Sequence, residues 1–162
     1  MTHDELVERA RRWLVRSHPV VSTEVSTAAF ENPDAIGFTS WGGSTLVECK
    51  TSRADFRADA KKRFRRIPEQ GMARLRYYMA EPGLLTVEDL PTAWGLLEVH
   101  GRQVRVVARA LPQKASHYAE QQLLVSLLRR VPVDAEGLSV KLYTLQTQCK
   151  ATLTTLPEDT HE

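Results

Sequence analysis

Two short, largely apolar runs at residues 34–40 and 45–50 flank the pair Gly42-Gly43, and no other stretch narrows the fold so far. A Gly-Gly pair between two strand-like runs signals a hairpin, because glycine reaches the positive-φ backbone that a tight reversal needs. Two strands alone do not stay folded in water, so further strands or helices must cover them. The second run, Leu46-Val47-Glu48-Cys49-Lys50, ends on charge. Alternate side chains of a strand share a face. Glu48 and Lys50 therefore point with Leu46, while Val47 and Cys49 point into the other layer. A carboxylate and an ammonium on an apolar strand are costly to bury unless they are paired or hold a metal.

Periodicity and breakers supply the cover. Residues 4–17 predict a helix: Thr2 and Glu5 have capping-box spacing, Leu6, Ala10, Trp13 and Leu14 share a face, and His18-Pro19 ends it. Residues 20–26 predict a strand, with Val21, Thr23 and Val25 alternating against Ser22, Glu24 and Ser26. Residues 53–66 predict one basic helix stopped before Pro68, and residues 74–80 a strand leading into Pro82-Gly83. One helical turn is predicted at 87–90, and a second hairpin from 95–99 and 104–108 across His100-Gly101. Residues 116–130 predict a helix with Leu123, Leu124, Leu127 and Leu128 as its buried stripe. Residues 138–152 carry mixed helix and strand character, and residues 157–162 are predicted disordered. The order αβββαβ, followed by a hairpin and helices, defines an α/β class with a mixed central sheet flanked by helices. The main domain is expected over 1–132, with 133–162 a C-terminal extension of it.

Composition removes several function classes. At 162 residues, 42% hydrophobic and 26% charged, the chain can build one ordinary core. No apolar run reaches membrane-spanning length or resembles a secretory leader, so the chain reads as cytoplasmic. Cys49 and Cys149 give neither a disulfide framework nor zinc spacing. His3, His18, His100, His117 and His161 are scattered singly and read as surface residues rather than ligands. The net charge is only +2, yet residues 50–76 hold ten basic residues against three acidic ones. That stripe is either a solvated helix face or the footprint of a polyanion-binding surface.

Phosphodiester hydrolysis gives buried carboxylate and ammonium groups a purpose. A divalent metal lowers the pKa of its bound water and stabilises the developing charge. Magnesium takes oxygen ligands and needs only one or two carboxylates. An adjacent lysine orients the water and offsets negative charge.

Pro33-Asp34, followed after the Gly-Gly hairpin by Glu48-Cys49-Lys50, resembles the PD-(D/E)xK nuclease superfamily, the restriction-endonuclease-like and Holliday-junction-resolvase-like enzymes. Thr23-Glu24-Val25, Asp34, the run from Val47-Glu48-Cys49-Lys50 through Thr51-Ser52-Arg53-Ala54-Asp55-Phe56-Arg57-Ala58-Asp59, and then Pro91 and Trp94-Gly95-Leu96-Leu97-Glu98-Val99 are similar to the MmcB-related bacterial DNA-repair proteins. The resemblance covers about residues 19–108. It implies a restriction-endonuclease-like fold and a Mg2+-dependent nuclease, with Mn2+ as a substitute cation. Asp34 and Glu48 would bind the metal together with the backbone carbonyl of Cys49. Lys50 would be the catalytic lysine and Glu24 the early acid, a position that Glu5 or Glu8 of the first helix could fill instead. DNA would be the substrate, in repair, recombination or phage DNA metabolism, and a homodimer is one way to set two sites on a duplex.

Arg53, Lys61, Lys62, Arg63, Arg65 and Arg66 follow the catalytic strand directly and are the candidate nucleic-acid contacts. Arg74, Tyr77 and Tyr78 either stack on a single strand or pack on a sheet with one tyrosine in and one out. Thr51 and Ser52 suit phosphate binding or a helix cap. Asp55, Asp59 and Glu31 read as capping or surface charges, and Trp13, Trp41 and Trp94 as packing residues. The rival readings are a nuclease fold that grips nucleic acid or a partner without cutting, and a hydrolase acting on something other than DNA.

Geometry constrains the site further. Directly opposed residues of an antiparallel pair face the same side. A two-residue Gly42-Gly43 turn would set Asp34 opposite Thr51, facing away from Glu48 and Lys50. The nuclease reading therefore requires an odd loop, such as Trp41-Gly42-Gly43, or a bulge; with that loop Ser40 opposes Ser44 and Asp34 opposes Lys50.

Overall fold

The computed structural model describes residues 1–27 and 29–130, which lie in one compact unit, Met1–Arg130. The expectations for 133–162, including mixed structure at 138–152 and the tail at 157–162, lie outside the described residues. The elements are α1 (His3–Leu14), β1 (Val20–Thr23), β2 (Ala35–Phe38), β3 (Ser44–Cys49), α2 (Arg53–Ala60), α3 (Arg63–Arg66), β4 (Leu75–Ala80), β5 (Gly95–His100), β6 (Gln103–Ala108) and α4 (His117–Leu128). Single 3-10 turns occur at Pro68–Gln70 and Val87–Asp89. The six strands form one sheet in sequence order, parallel at β3/β4 and β4/β5 and antiparallel elsewhere. This is the expected mixed sheet flanked by helices. Among the described residues no helix is long and apolar enough to cross a membrane.

Each face of the sheet buries its own cluster. Leu6, Val7, Ala10 and Leu14 of α1 cover Ala35, Val47, Cys49, Tyr77, Met79 and Leu97. On the other face Phe56 of α2 and Ala119 and Leu123 of α4 cover Ile36, Leu46, Tyr78 and Leu96. β3 and β4 are therefore buried on both sides, as parallel strands between helices must be. The capping box at Thr2 and Glu5 is present. Tyr77 and Tyr78 are both buried, one in each cluster, rather than one in and one out. Trp13 packs edge-on against Tyr77 and Trp94 stacks on Tyr78, whereas Trp41 is 87% exposed at the hairpin tip, contrary to expectation. In α4 only Leu123 of the predicted stripe is fully buried, and Leu128 faces outward.

The β2–β3 loop has three residues, as the face argument requires, but it is Ser40-Trp41-Gly42. The Thr39 N–H donates to the Gly43 carbonyl (2.8 Å) and the Gly42 N–H to the Thr39 carbonyl (3.2 Å). Gly42 takes the left-handed third position with φ +79°. Phe38 therefore pairs with Ser44 and Ala35 with Val47. The next residue, Asp34, comes level with Glu48, not with Lys50.

The predicted helix over 53–66 is two helices. Lys61 caps α2 and Lys62 begins α3 in an extended conformation. Like charges four apart, Lys61 with Arg65 and Lys62 with Arg66, disfavour one continuous helix. The break turns Arg65 inward. β1 also stops earlier than predicted, at Thr23, because Glu24, after one last bond to Asp34, turns the chain with φ +49°.

Gly95 of β5 pairs with Tyr77 of β4, and a Cβ there would run into the Tyr77 ring and come within 2.7 Å of the Ala108 carbonyl oxygen. Gly95→Ala is expected to lower stability by about 1–3 kcal/mol, read as a lower urea midpoint at unchanged slope.

Candidate active site

Three acids end three adjacent strands. One step beyond the pairs Thr23–Ala35 and Ala35–Val47, Glu24, Asp34 and Glu48 lie in line across β1, β2 and β3. The Glu24 N–H donates to the Asp34 carbonyl (3.1 Å). The Asp34 carboxylate accepts from the Cys49 N–H (2.7 Å), so the β3 backbone fixes it. The other Asp34 oxygen lies 3.7 Å from His3 Nε2, which is 3.6 Å from the Glu24 carboxylate. His3 begins α1, so the first turn of that helix closes over the end of the row. Burial, and then the negative charge of Glu48, raise the Asp34 pKa to about 6.

Glu48 and Lys50 sit deeper. Glu48 is 2% exposed and Lys50 4%, with Lys50 Nζ 3.3 Å from Glu48 Oε2 and 3.7 Å from Asp59 Oδ1. Burial pushes the Lys50 pKa down, but Glu48 and Asp59 outweigh it and hold the ammonium above its ordinary value. Lys50 therefore carries its proton. Burial raises the Cys49 thiol well out of the reactive range, leaving its backbone as its contribution to the site.

Arg65 joins the whole group. Its guanidinium pairs with Glu31, with Asp59 Oδ2 at 2.8 Å and with Glu48 Oε1 at 2.8 Å. Glu31 also accepts from the Met72 N–H, and the Tyr78 hydroxyl donates to Asp59 (2.8 Å). Burial opposes ionisation of Asp59, but Arg65 holds its carboxyl well below the usual range, and Lys62 reaches in to it at 2.8 Å. Trp94 covers the guanidinium at 4.9 Å, and Phe56 and Trp94 pack on the Tyr78 ring. Water is thereby kept from the ion pairs, which strengthens them.

Four sequence-based assignments change. Arg65 is buried, so it is not a phosphate contact. Glu31 and Asp59, expected as surface or capping charges, are 2% and 1% exposed and belong to the cluster. The pattern carried one sign of this: Asp59 lies on the buried side of α2 with Phe56, at i,i+3 spacing. His3, expected at the surface, instead faces Glu24 and Asp34, and nothing in its sequence context marks it. Arg53, Lys61, Lys62, Arg63 and Arg66 are exposed as expected. Arg53, however, is engaged with Asp89 (2.6 Å) and the Leu84 carbonyl, tying α2 to the turn at Val87–Asp89. Ser52 acts as the cap of α2, accepting from the Asp55 N–H. Glu5 caps α1, and Glu8 pairs with Arg11 and Arg12, so among the weighed early acids only Glu24 meets Asp34.

With this geometry, the chain can be compared with known proteins. No known family profile matches it, and no curated protein does. Among solved structures it is similar to SPO1766, a protein of unknown function from Silicibacter pomeroyi. The two are 25% identical over 80% of this chain and 89% of the other, with a TM-score of 0.58. They share an α/β fold.

Among the described residues no three His, Cys, Asp or Glu side chains converge as placed on a common cation. The donor chemistry nevertheless suits a hard divalent ion: the row offers carboxylate oxygens, and the charges of Asp34 and Glu48 disfavour each other in the absence of a cation. Glu48 Oε1 is buried without a directional hydrogen bond, because its 2.8 Å contact with Arg65 Nη2 is poorly aligned. Asp34 and Glu48 are the residues that could hold such an ion, with Glu24 and His3 at the open end.

Tyr78→Phe leaves Asp59 without its buried hydroxyl donor and is expected to cost about 1.5–3 kcal/mol. Lys62→Ala removes a half-exposed partner of the same carboxylate and is expected to cost less than about 1 kcal/mol. Paired denaturant melts measure both.

Proposed function

We propose that this protein is a magnesium-dependent deoxyribonuclease of the PD-(D/E)xK type, an endonuclease acting in DNA repair, recombination or phage DNA metabolism. One observation carries the reading: Glu24, Asp34 and Glu48 align at the ends of three neighbouring strands, with Lys50 beside Glu48. Asp34 and Glu48 would hold the cation, joined by the Cys49 carbonyl, and Glu24 would help hold it or its water. Bound magnesium supplies Lewis-acid charge and a water of lowered pKa. Lys50, paired with Glu48 and Asp59, would orient the water and offset charge on the phosphate. The exposed Arg57, Lys61, Arg63 and Arg66 on α2 and α3 follow the catalytic strand and suit a phosphodiester backbone. Such contacts fix position without reading sequence.

A second reading has its own observation. Glu48 and Lys50 are paired with internal charges and nearly sealed from solvent, as in a nuclease fold that binds nucleic acid without cutting it.

Cleavage of supercoiled, single-stranded and branched DNA with Mg2+ or Mn2+ separates the two. Wild type is expected to cut at least one of these substrates. Asp34→Asn, which keeps size and shape, is expected to lose roughly 10²–10³-fold in rate while retaining DNA affinity in a gel-shift titration. A wild type that binds all three substrates and cuts none favours the binding module.

A further inference from the structure

Both oxygens of Glu48 are committed, but unequally. Oε2 faces Lys50, two residues on and just past the end of β3, whose backbone N–H is tied to the Met79 carbonyl. Oε1 faces Arg65, which comes from α3, a four-residue helix whose other residues are not buried. Arg65 also treats its three carboxylates unequally. Its Nε donates to Asp59 and its Nη1 to Glu31 in directional hydrogen bonds. Its Nη2 lies 2.8 Å from Glu48 with no directional bond at either atom. Asp59 and Glu31 thus anchor the guanidinium, and Glu48 receives only its charge. Of the contacts made by Arg65, this one alone lacks a directional bond, and it sits on the Glu48 oxygen that has no hydrogen-bond partner.

We propose that Arg65 is an internal counter-ion that a divalent cation must displace from Glu48, so that Arg65 sets the metal affinity of the site. The proposal rests on the nuclease reading and adds its regulation. Without a cation, Glu31, Glu48 and Asp59 are balanced by Arg65, Lys50 and the inward-reaching Lys62. When a cation binds between Asp34 and Glu48, the guanidinium keeps Asp59 and Glu31 and releases Glu48. The fold is held in both states, and the site does not retain an uncompensated buried carboxylate in either.

Calorimetric titration of the full chain with manganese chloride tests this without reference to cleavage. Arg65→Met keeps an unbranched stem against Trp94 and removes the guanidinium. It is expected to bind Mn2+ at least about tenfold more tightly than wild type, to melt lower in metal-free buffer, and to recover on adding Mn2+. A purely structural Arg65 would lower the melting temperature and leave affinity unchanged. Wild type that binds Mn2+ as tightly as the variant, or more tightly, overturns the proposal and leaves the nuclease reading standing. Absence of uptake by both proteins overturns the nuclease reading and this proposal with it. Should Arg65→Met not fold, wild type carrying 15N-arginine is titrated with Mg2+. The Arg65 Nε–H resonance is expected to shift in step with saturation, while that of Arg76, held by backbone carbonyls, stays fixed. A saturated site with an unmoved Arg65 signal overturns the proposal.

Discussion

The guanidinium of Arg65 ties together three segments that the hairpin and sheet alone would leave loosely connected. Glu31 lies in the loop before β2, Glu48 on β3 and Asp59 on α2, and all three reach one buried cation from α3. Charges taken out of water are costly, and a partner that fully compensates them mainly avoids a penalty rather than adding stability. The reverse holds once the group is assembled: removing any member strands the others. The packing of Tyr78, Trp94 and Phe56 over the cluster raises both the strength of the pairs and the cost of losing one.

A second polar tie works on the same face. Arg76, fully buried on β4, donates from Nε to the Met72 and Ala73 carbonyls and from Nη2 to those of Pro68, Gly71 and Lys114. Glu120 of α4 accepts from the Ser44 hydroxyl (2.7 Å) and the Ala73 N–H (2.9 Å). Irregular backbone before β4 would otherwise bury unsatisfied groups. Three residues of the basic segment, Lys50, Arg65 and Arg76, are therefore internal connectors. The cationic surface is smaller than the composition suggests and consists mainly of α2, α3 and the turn between them.

Asp34 stands between two environments. On one side His3 and Glu24 open to solvent, with Glu24 more than half exposed. On the other, Glu48 and Lys50 belong to the sealed cluster. The β3 backbone holds Asp34 through the Cys49 N–H, so its position depends on the register of the sheet rather than on any loop. Asp34 therefore has one side open to solvent and one side closed.

Much of this was legible in the sequence, for reasons that are local. Alternation set Glu48 and Lys50 on one face, the Gly42 region demanded a reversal, and Thr2 with Glu5 capped the first helix. The requirement for an odd loop followed from the pleat once Asp34 was to share a face with Glu48 and Lys50. Other features depend on distance along the chain. The loop closed one residue earlier because Thr39 and Gly43 pair with each other, moving Asp34 from Lys50 to Glu48. Glu31, Arg65 and His3 look like surface charges in the sequence, and only its spacing from Phe56 sets Asp59 apart, since a side chain's partner 6 to 34 residues away leaves little periodic trace. Strand and helix patterns are written in neighbouring residues; which charges meet inside is decided only when the sheet and helices close on one another and exclude water.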